Sequence, residues 1–147
     1  MDEHGERTVV EPLVRARGLG RAYRRGPEAV EVLGGVDLDV GRGEFLALMG
    51  PSGSGKSTLL NLLGGLDRPD AGEIHVDGQR IDRLSKAELA DWRSRHVGFV
   101  FQFYNLVPSL TARENVALVT EIAKNPMRPE EALERAGLPH RMDHFPA

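Results

Sequence analysis

The alternation of hydrophobic and polar positions predicts paired strands in the first part of the chain. Apolar residues partly alternate with polar ones over residues 14–23 and again over residues 30–40, most cleanly at 36–40. A period of two is typical of strands that bury one face. Because residues 25–27 combine arginine, glycine and proline in a turn signal, the two strands are expected to lie antiparallel in one sheet.

Two apolar runs have no such alternation. Residues 45–49 and 97–101 are almost continuously hydrophobic, which is typical of strands buried on both faces of a parallel sheet. Since sheets usually contain about four to six strands, these two alone predict only part of a core sheet.

Between these runs the pattern predicts a helix and a hairpin. Leucines recur at positions 59, 62, 63 and 66, the spacing of one helix face. Further along, Asp77 and Gly78 separate two short stretches at 73–76 and 79–81. An Asp-Gly pair in this setting favours a two-residue hairpin turn.

The second half of the chain carries helix-start signals. A serine or threonine followed three residues later by glutamate forms a capping box, in which each residue satisfies a backbone N–H of the other. The pairs are Ser85 with Glu88, opening a helix to about residue 95, and Thr111 with Glu114, opening one to about residue 124. A short helix is also expected over residues 130–136, closed by Gly137.

Composition narrows the classes of function. The 147 residues carry a net charge of -3 and contain no cysteine, so no partner is expected to be nucleic acid and disulfide staples are excluded. The short basic cluster of Arg21, Arg24 and Arg25 is expected to be solvated. No apolar run approaches the ~18 residues that span a bilayer, so work at a membrane would require another chain to hold the protein there.

Candidate chemistry lies between the run at 45–49 and the leucine-patterned helix. Residues 50–57 match the phosphate-binding pattern G-x-x-x-x-G-K-[ST]. The glycines allow the backbone to approach phosphate oxygens, and the following helix adds its positive dipole end. Lys56 supplies a mobile charge for the β- and γ-phosphates, and the Ser57 hydroxyl is a hard ligand suited to Mg²⁺. This pattern predicts nucleotide binding without choosing among transporter motor, kinase and switch.

Three segments resemble the ATP-binding subunits of ABC transporters: residues 43–61, 66–73 and 97–116. The third is similar to the branch that serves lipoprotein release and macrolide export, whose permeases carry a large extracytoplasmic domain. The resemblance runs from about residue 13 to the end. It implies an α/β P-loop NTPase of ABC type, with an antiparallel β subdomain, a partial parallel core sheet and the start of a helical subdomain.

The resemblance also implies domains and site residues. Residues 1–12 would be a flexible tail and 13–147 a partial nucleotide-binding domain, with its core to about residue 102 and the helical subdomain from about residue 103. Gln102 falls at the Q-loop, which contacts Mg²⁺ and the attacking water. Tyr23 falls at the A-loop and would stack on adenine. The residues implied to contact ATP are Tyr23, Gly50, Pro51, Ser52, Gly53, Ser54, Gly55, Lys56, Ser57 and Thr58, with Lys56 and Gln102 as the catalytic pair.

Without the resemblance, Tyr23 and Gln102 can each be interpreted as a structural residue instead of a site residue. Tyr23 could instead be a strand aromatic that packs on the core, since aromatic residues are common in strands. Gln102 could be a polar cap at the end of its predicted strand. In the functional interpretation, Tyr23 provides an aromatic face that can stack on any base. Gln102 would lie at the carboxyl end of a strand, where α/β sheets bind ligands.

The family's glycine-rich signature, its Walker B strand and its switch histidine do not occur in residues 1–147. The chain is therefore expected to be a truncated product or a partial sequence, catalytically incomplete by itself. The expected partners are a membrane permease and a second ATPase subunit in a homodimer, at the cytoplasmic face of the cell membrane. The alternatives are a non-catalytic nucleotide-binding fragment and a soluble ABC ATPase of translation or repair; a small-molecule kinase fits the strands before the P-loop less well.

Overall fold

The computed structural model describes residues 11–146. Within it the chain divides into two compact units, Met1–Ala90 and Asp91–Ala147. Most of the predicted tail lies outside the described residues, and the predicted boundary near residue 102 stays a prediction. The phosphate-binding pattern lies in the first unit, so the fold of that unit determines how the loop is held.

The first unit contains a four-stranded antiparallel sheet. Its strands are β1 (Val14–Arg25), β2 (Glu28–Val40), β3 (Ala71–Val76) and β4 (Gln79–Arg80). They lie in the order β2-β1-β3-β4, and every neighbouring pair is antiparallel. The predicted pairing of the first two strands and the predicted hairpin are therefore confirmed.

One face of this sheet forms the core of the unit. Ala16 and Leu19 of β1 and Ile74 of β3 are buried. Helix α1 (Lys56–Leu63) buries Leu59 and Leu62 on its inner side. Since burial of a leucine side chain stabilises a protein by about 1.5–3 kcal/mol, this apolar face fixes α1 and the loop before it.

The turn at Asp77 and Gly78 and the glycine at position 72 both shape the sheet through backbones with positive φ. The β3–β4 turn has positive φ at both central residues, 49° at Asp77 and 76° at Gly78, as the predicted two-residue turn requires. At Gly72, φ is +88° and an added Cβ would lie 2.5 Å from the carbonyl oxygens of Arg17 and Gly18. Any larger residue there would push β3 away from β1.

The remaining helices are α2 (Lys86–His96), α3 (Ala112–Thr120) and α4 (Pro129–Arg135), followed by a 3-10 turn at Pro139–Arg141. Both predicted capping boxes form: Ser85 exchanges bonds with Glu88, and Thr111 with Glu114. Helix α3 ends at Thr120, before the predicted residue 124. No helix among residues 11–146 combines the length and apolar character needed to cross a membrane.

The two predicted core strands are not formed. Residues 45–49 and 97–101 have no strand structure, and the side chains of Phe45, Met49 and Val100 are 95%, 92% and 91% exposed. A strand requires hydrogen-bonded neighbours, and none of the described strands pairs with either run. The prediction of strands at these two runs is therefore wrong, and the sheet among residues 11–146 is wholly antiparallel.

Candidate functional site

The glycine-rich loop at residues 50–55 turns sharply before it enters α1. The Ser54 N–H donates to the Pro51 carbonyl across 3.2 Å, and Gly53 has φ +80°. At Gly50 an added Cβ would lie 2.8 Å from Ser54 Oγ. The loop therefore closes on itself, and a side chain at its first residue would require the Ser54 hydroxyl to move.

Gly55 joins the loop to the sheet. Its φ is +94° and it is the N-cap residue of α1. An added Cβ would meet the Val32 carbonyl oxygen and Leu33 Cδ2 of β2, each at 3.0 Å. Both the backbone conformation and the close approach to β2 therefore require glycine.

The Lys56 ammonium lies against the loop's own oxygens. Nζ donates to the carbonyl oxygens of Gly50 at 2.6 Å and Pro51 at 2.7 Å, and to Ser54 Oγ at 3.2 Å. These three partners match the three donors of an ammonium group. The ammonium group is thus held against the loop itself.

The N-terminus of α1 has the features of an anion site. No side chain caps it and no acidic residue lies in its first turn. Its first backbone N–H groups and the positive end of its dipole are therefore free of a competing carboxylate. Ser57 is exposed and Thr58 half-buried at this end, so an anion and a hydroxyl-bound cation both fit the chemistry of these residues.

Tyr23 lies on β1, where the side chain is 39% exposed. The Arg21 guanidinium carbon lies 4.9 Å from the centre of its ring. The Tyr23 hydroxyl donates to Asp67 Oδ2 across 3.2 Å. The ring therefore has polar partners at one face and at its far end instead of lying in the apolar core.

The expectation that Arg21 is simply solvated is wrong. Its side chain is 20% exposed and pairs with Asp67 and Asp70, each across 2.8 Å. Asp70 also accepts the Ala22 N–H at 2.8 Å. This backbone bond, together with the Arg21 charge, lowers the pKa of Asp70. Sequence reasoning missed the group, although Arg21 and Tyr23 are two residues apart, which is the spacing of neighbours on one side of a regular strand.

Gln102 lies in the second unit, in an exposed turn. The two residues that follow Phe103 have left-handed backbones, with φ 59° at Tyr104 and 51° at Asn105. Such conformations cost free energy outside glycine and are concentrated at functional segments. The role expected for Gln102 stays a prediction.

A glycine-rich loop that ends in lysine and serine at the start of a helix is the arrangement of a P-loop nucleotide-binding protein. Comparison with known families specifies the class further. Residues 33–147 match the family model described as ABC transporter. The chain belongs to that family.

Curated relatives come from two kinds of transporter. The lipoprotein-releasing system ATP-binding protein LolD of Pseudomonas fluorescens is 45% identical over 140 residues, covering 92% of this chain and 62% of the relative. The macrolide export ATP-binding/permease protein MacB 1/2 of Paracoccus denitrificans is 46% identical over 140 residues, covering 92% of this chain and 21% of the relative. The chain thus spans about three fifths of the length of the first of these relatives.

Solved structures confirm the fold. A dimeric ATP-binding cassette in a post-hydrolysis state, bound to ADP and Pi, superposes with a TM-score of 0.81 at 38% identity. The match covers 90% of this chain and 61% of that one. The predicted ABC-type fold class and the predicted family are therefore both confirmed.

Proposed function

We propose that this chain contributes the ATP-binding part of an ABC transporter, which couples ATP binding and hydrolysis to a membrane permease. The observation that carries the proposal is the Lys56 ammonium, held 2.6 Å from the Gly50 carbonyl oxygen at the uncapped start of α1. This arrangement concentrates positive charge and backbone donors where a polyphosphate would enter.

The proposal assigns a role to each part of the nucleotide site. Residues 50–57 hold the ATP phosphates, with Lys56 directed at the β- and γ-phosphates and Thr58 beside them. The Ser57 hydroxyl is offered to Mg²⁺, and the metal contact predicted for Gln102 stays a prediction. Tyr23 provides an aromatic face for adenine. When bound, Mg²⁺ would neutralise charge on the phosphates.

The family supports a partner and a location. Relatives named for lipoprotein release and macrolide export favour a permease of that branch as the partner of this chain. A dimeric relative structure favours a homodimer of ATPase subunits in the whole protein. These partners place the proposed work at the cytoplasmic face of the membrane, with transport of a substrate that the permease selects.

The experiment is a titration of the whole protein with a fluorescent ATP analogue. Lys56→Ala should weaken binding about ten- to a hundredfold, because a charge-assisted contact to phosphate contributes roughly 1.5–3 kcal/mol. Lys86→Ala is the matched control, since Lys86 is exposed at the start of α2. Equal affinities for the Lys56→Ala variant and the parent would refute the proposed function.

A further inference from the structure

We propose that Arg21, held by Asp67 and Asp70, is a positioning residue that fixes the Tyr23 ring so that its open face can receive a nucleobase. The inference rests on the proposed function, because it concerns the support of the residue assigned to adenine. Neither carboxylate nor the arginine is expected to touch the nucleotide.

Two carboxylates hold the Arg21 guanidinium. Nη1 donates to Asp70 Oδ1 at 2.8 Å, and Nη2 lies 2.8 Å from Asp67 Oδ2 and 3.0 Å from Asp67 Oδ1. The flat guanidinium fork matches carboxylate oxygens at fixed angles. With both terminal nitrogens engaged, the plane of the group has little freedom to turn.

The same carboxylate that holds Arg21 also holds Tyr23. Asp67 Oδ2 accepts from the Tyr23 hydroxyl at 3.2 Å, while the Arg21 guanidinium carbon lies 4.9 Å from the ring centre. One face and the far end of the ring are thus fixed together. Because the side chain is still 39% exposed, the ring retains accessible surface for a stacking partner.

The network also joins Tyr23 to the helix that follows the phosphate loop. The backbone N–H of Asp67 donates to the Asn61 carbonyl on α1 at 3.2 Å. On the other side, the Asp70 N–H donates to the Gly20 carbonyl of β1 at 2.8 Å. A nucleotide has a limited span between base and phosphates, so a stacking ring contributes affinity only if its position relative to α1 is fixed.

The test compares ATP with inorganic tripolyphosphate, which has phosphates and no base. Binding of each to the whole protein is measured at one fixed Mg²⁺ concentration. Arg21→Met, which keeps the length of the side chain without its charge or fork, should weaken ATP binding roughly three- to tenfold and leave tripolyphosphate binding unchanged. Arg21→Lys keeps the charge without the fork. It should lose part of the parent protein's preference for ATP over tripolyphosphate.

Arg17→Met is the matched control. Arg17 lies on the same strand and pairs with Asp39 across 2.7 Å. Among residues 11–146 its guanidinium lies over no aromatic ring. The ratio of ATP affinity to tripolyphosphate affinity in Arg17→Met should equal that of the parent protein. If Arg21→Met loses both ligands through misfolding, Arg21→Lys decides the question.

Three results would overturn the inference. The first is an unchanged affinity ratio in Arg21→Lys, or in a folded Arg21→Met variant. The second is an equal loss of both ligands in a variant that still melts cooperatively, which would mark a purely structural role. The third is a parent protein that binds ATP no better than tripolyphosphate. In that last case Lys56→Ala would still test the phosphate loop, so the two proposals fail separately.

Discussion

Tyr23 presents two separable chemical groups, a ring and a hydroxyl, and the proposed role depends on the ring. Tyr23→Ala should weaken ATP binding by ~1–3 kcal/mol, because it removes the stacking surface. Tyr23→Phe should weaken ATP binding much less than Tyr23→Ala. It keeps the ring over Arg21 and loses only one bond of 3.2 Å to Asp67 at a partly exposed position. Titration with an ATP analogue measures both losses.

The pair of variants distinguishes stacking from hydrogen bonding. Equal losses for alanine and phenylalanine would mean that the hydroxyl carries the effect, and adenine stacking would then be the wrong explanation. Thermal melting of each variant shows whether a loss of affinity reflects binding or folding.

Single residues of the site were predictable from sequence only where the signal is local. Residues 50–57 are contiguous, and their motif specifies both the turn and the chemistry. The partners of Arg21 are not contiguous: Asp67 is 46 residues away along the chain. An ion pair at that separation depends on the sheet and the turn after α1, so the alternation of polar residues in β1 could not reveal it.

At the scale of elements, the capping boxes predict how helix stability depends on pH. The Thr111 N–H and hydroxyl both donate to the Glu114 carboxylate, and they lower its pKa below the ordinary value for glutamate. A lowered folded pKa contributes stability that is fully present above the unfolded pKa. This contribution should disappear as the pH falls through the lowered pKa of the folded state.

Circular dichroism of the whole protein as a function of acidity measures this dependence. Glu114→Gln is the control, because its amide oxygen can still accept from the Thr111 N–H while its charge no longer titrates. The unfolding midpoint of Glu114→Gln should depend less on acidity than the unfolding midpoint of the parent protein. An identical acid dependence in the two proteins would mean that the box does not contribute through the charge of Glu114.

The elements differ in how well sequence predicted them. Capping boxes and the Asp77-Gly78 turn succeed because the bonds that form them lie within a few residues. Residues 45–49 and 97–101 fail because their hydrophobicity indicates only a tendency toward burial. The neighbours that would make strands of them are absent from the strand pairing of residues 11–146, and large side chains such as Phe45 stay exposed.

At the scale of the whole molecule, residues 1–147 made alone should not sustain ATP turnover. The assigned residues offer contacts for phosphates and metal, but no carboxylate among them is placed as a general base. The exposed apolar side chains of Phe45, Met49 and Phe103 should also make this polypeptide weakly stable and prone to association. Phosphate release from purified, monodisperse protein measures the turnover.

Lys56→Ala serves as the control for contaminating ATPase in that assay. Multiple turnovers that disappear in this variant would show that a general base exists within residues 1–147. The expectation of catalytic incompleteness would then be wrong.

The contacts of Lys56 explain why this position requires an ammonium group and not merely a positive charge. Its three oxygen partners converge on one nitrogen from within a loop of a few residues. A tetrahedral ammonium can direct three donors at such a cluster, whereas a guanidinium spreads its donors in a plane. Lys56→Arg would therefore preserve the charge yet force the loop to widen, so the shape of the loop by itself selects lysine over arginine.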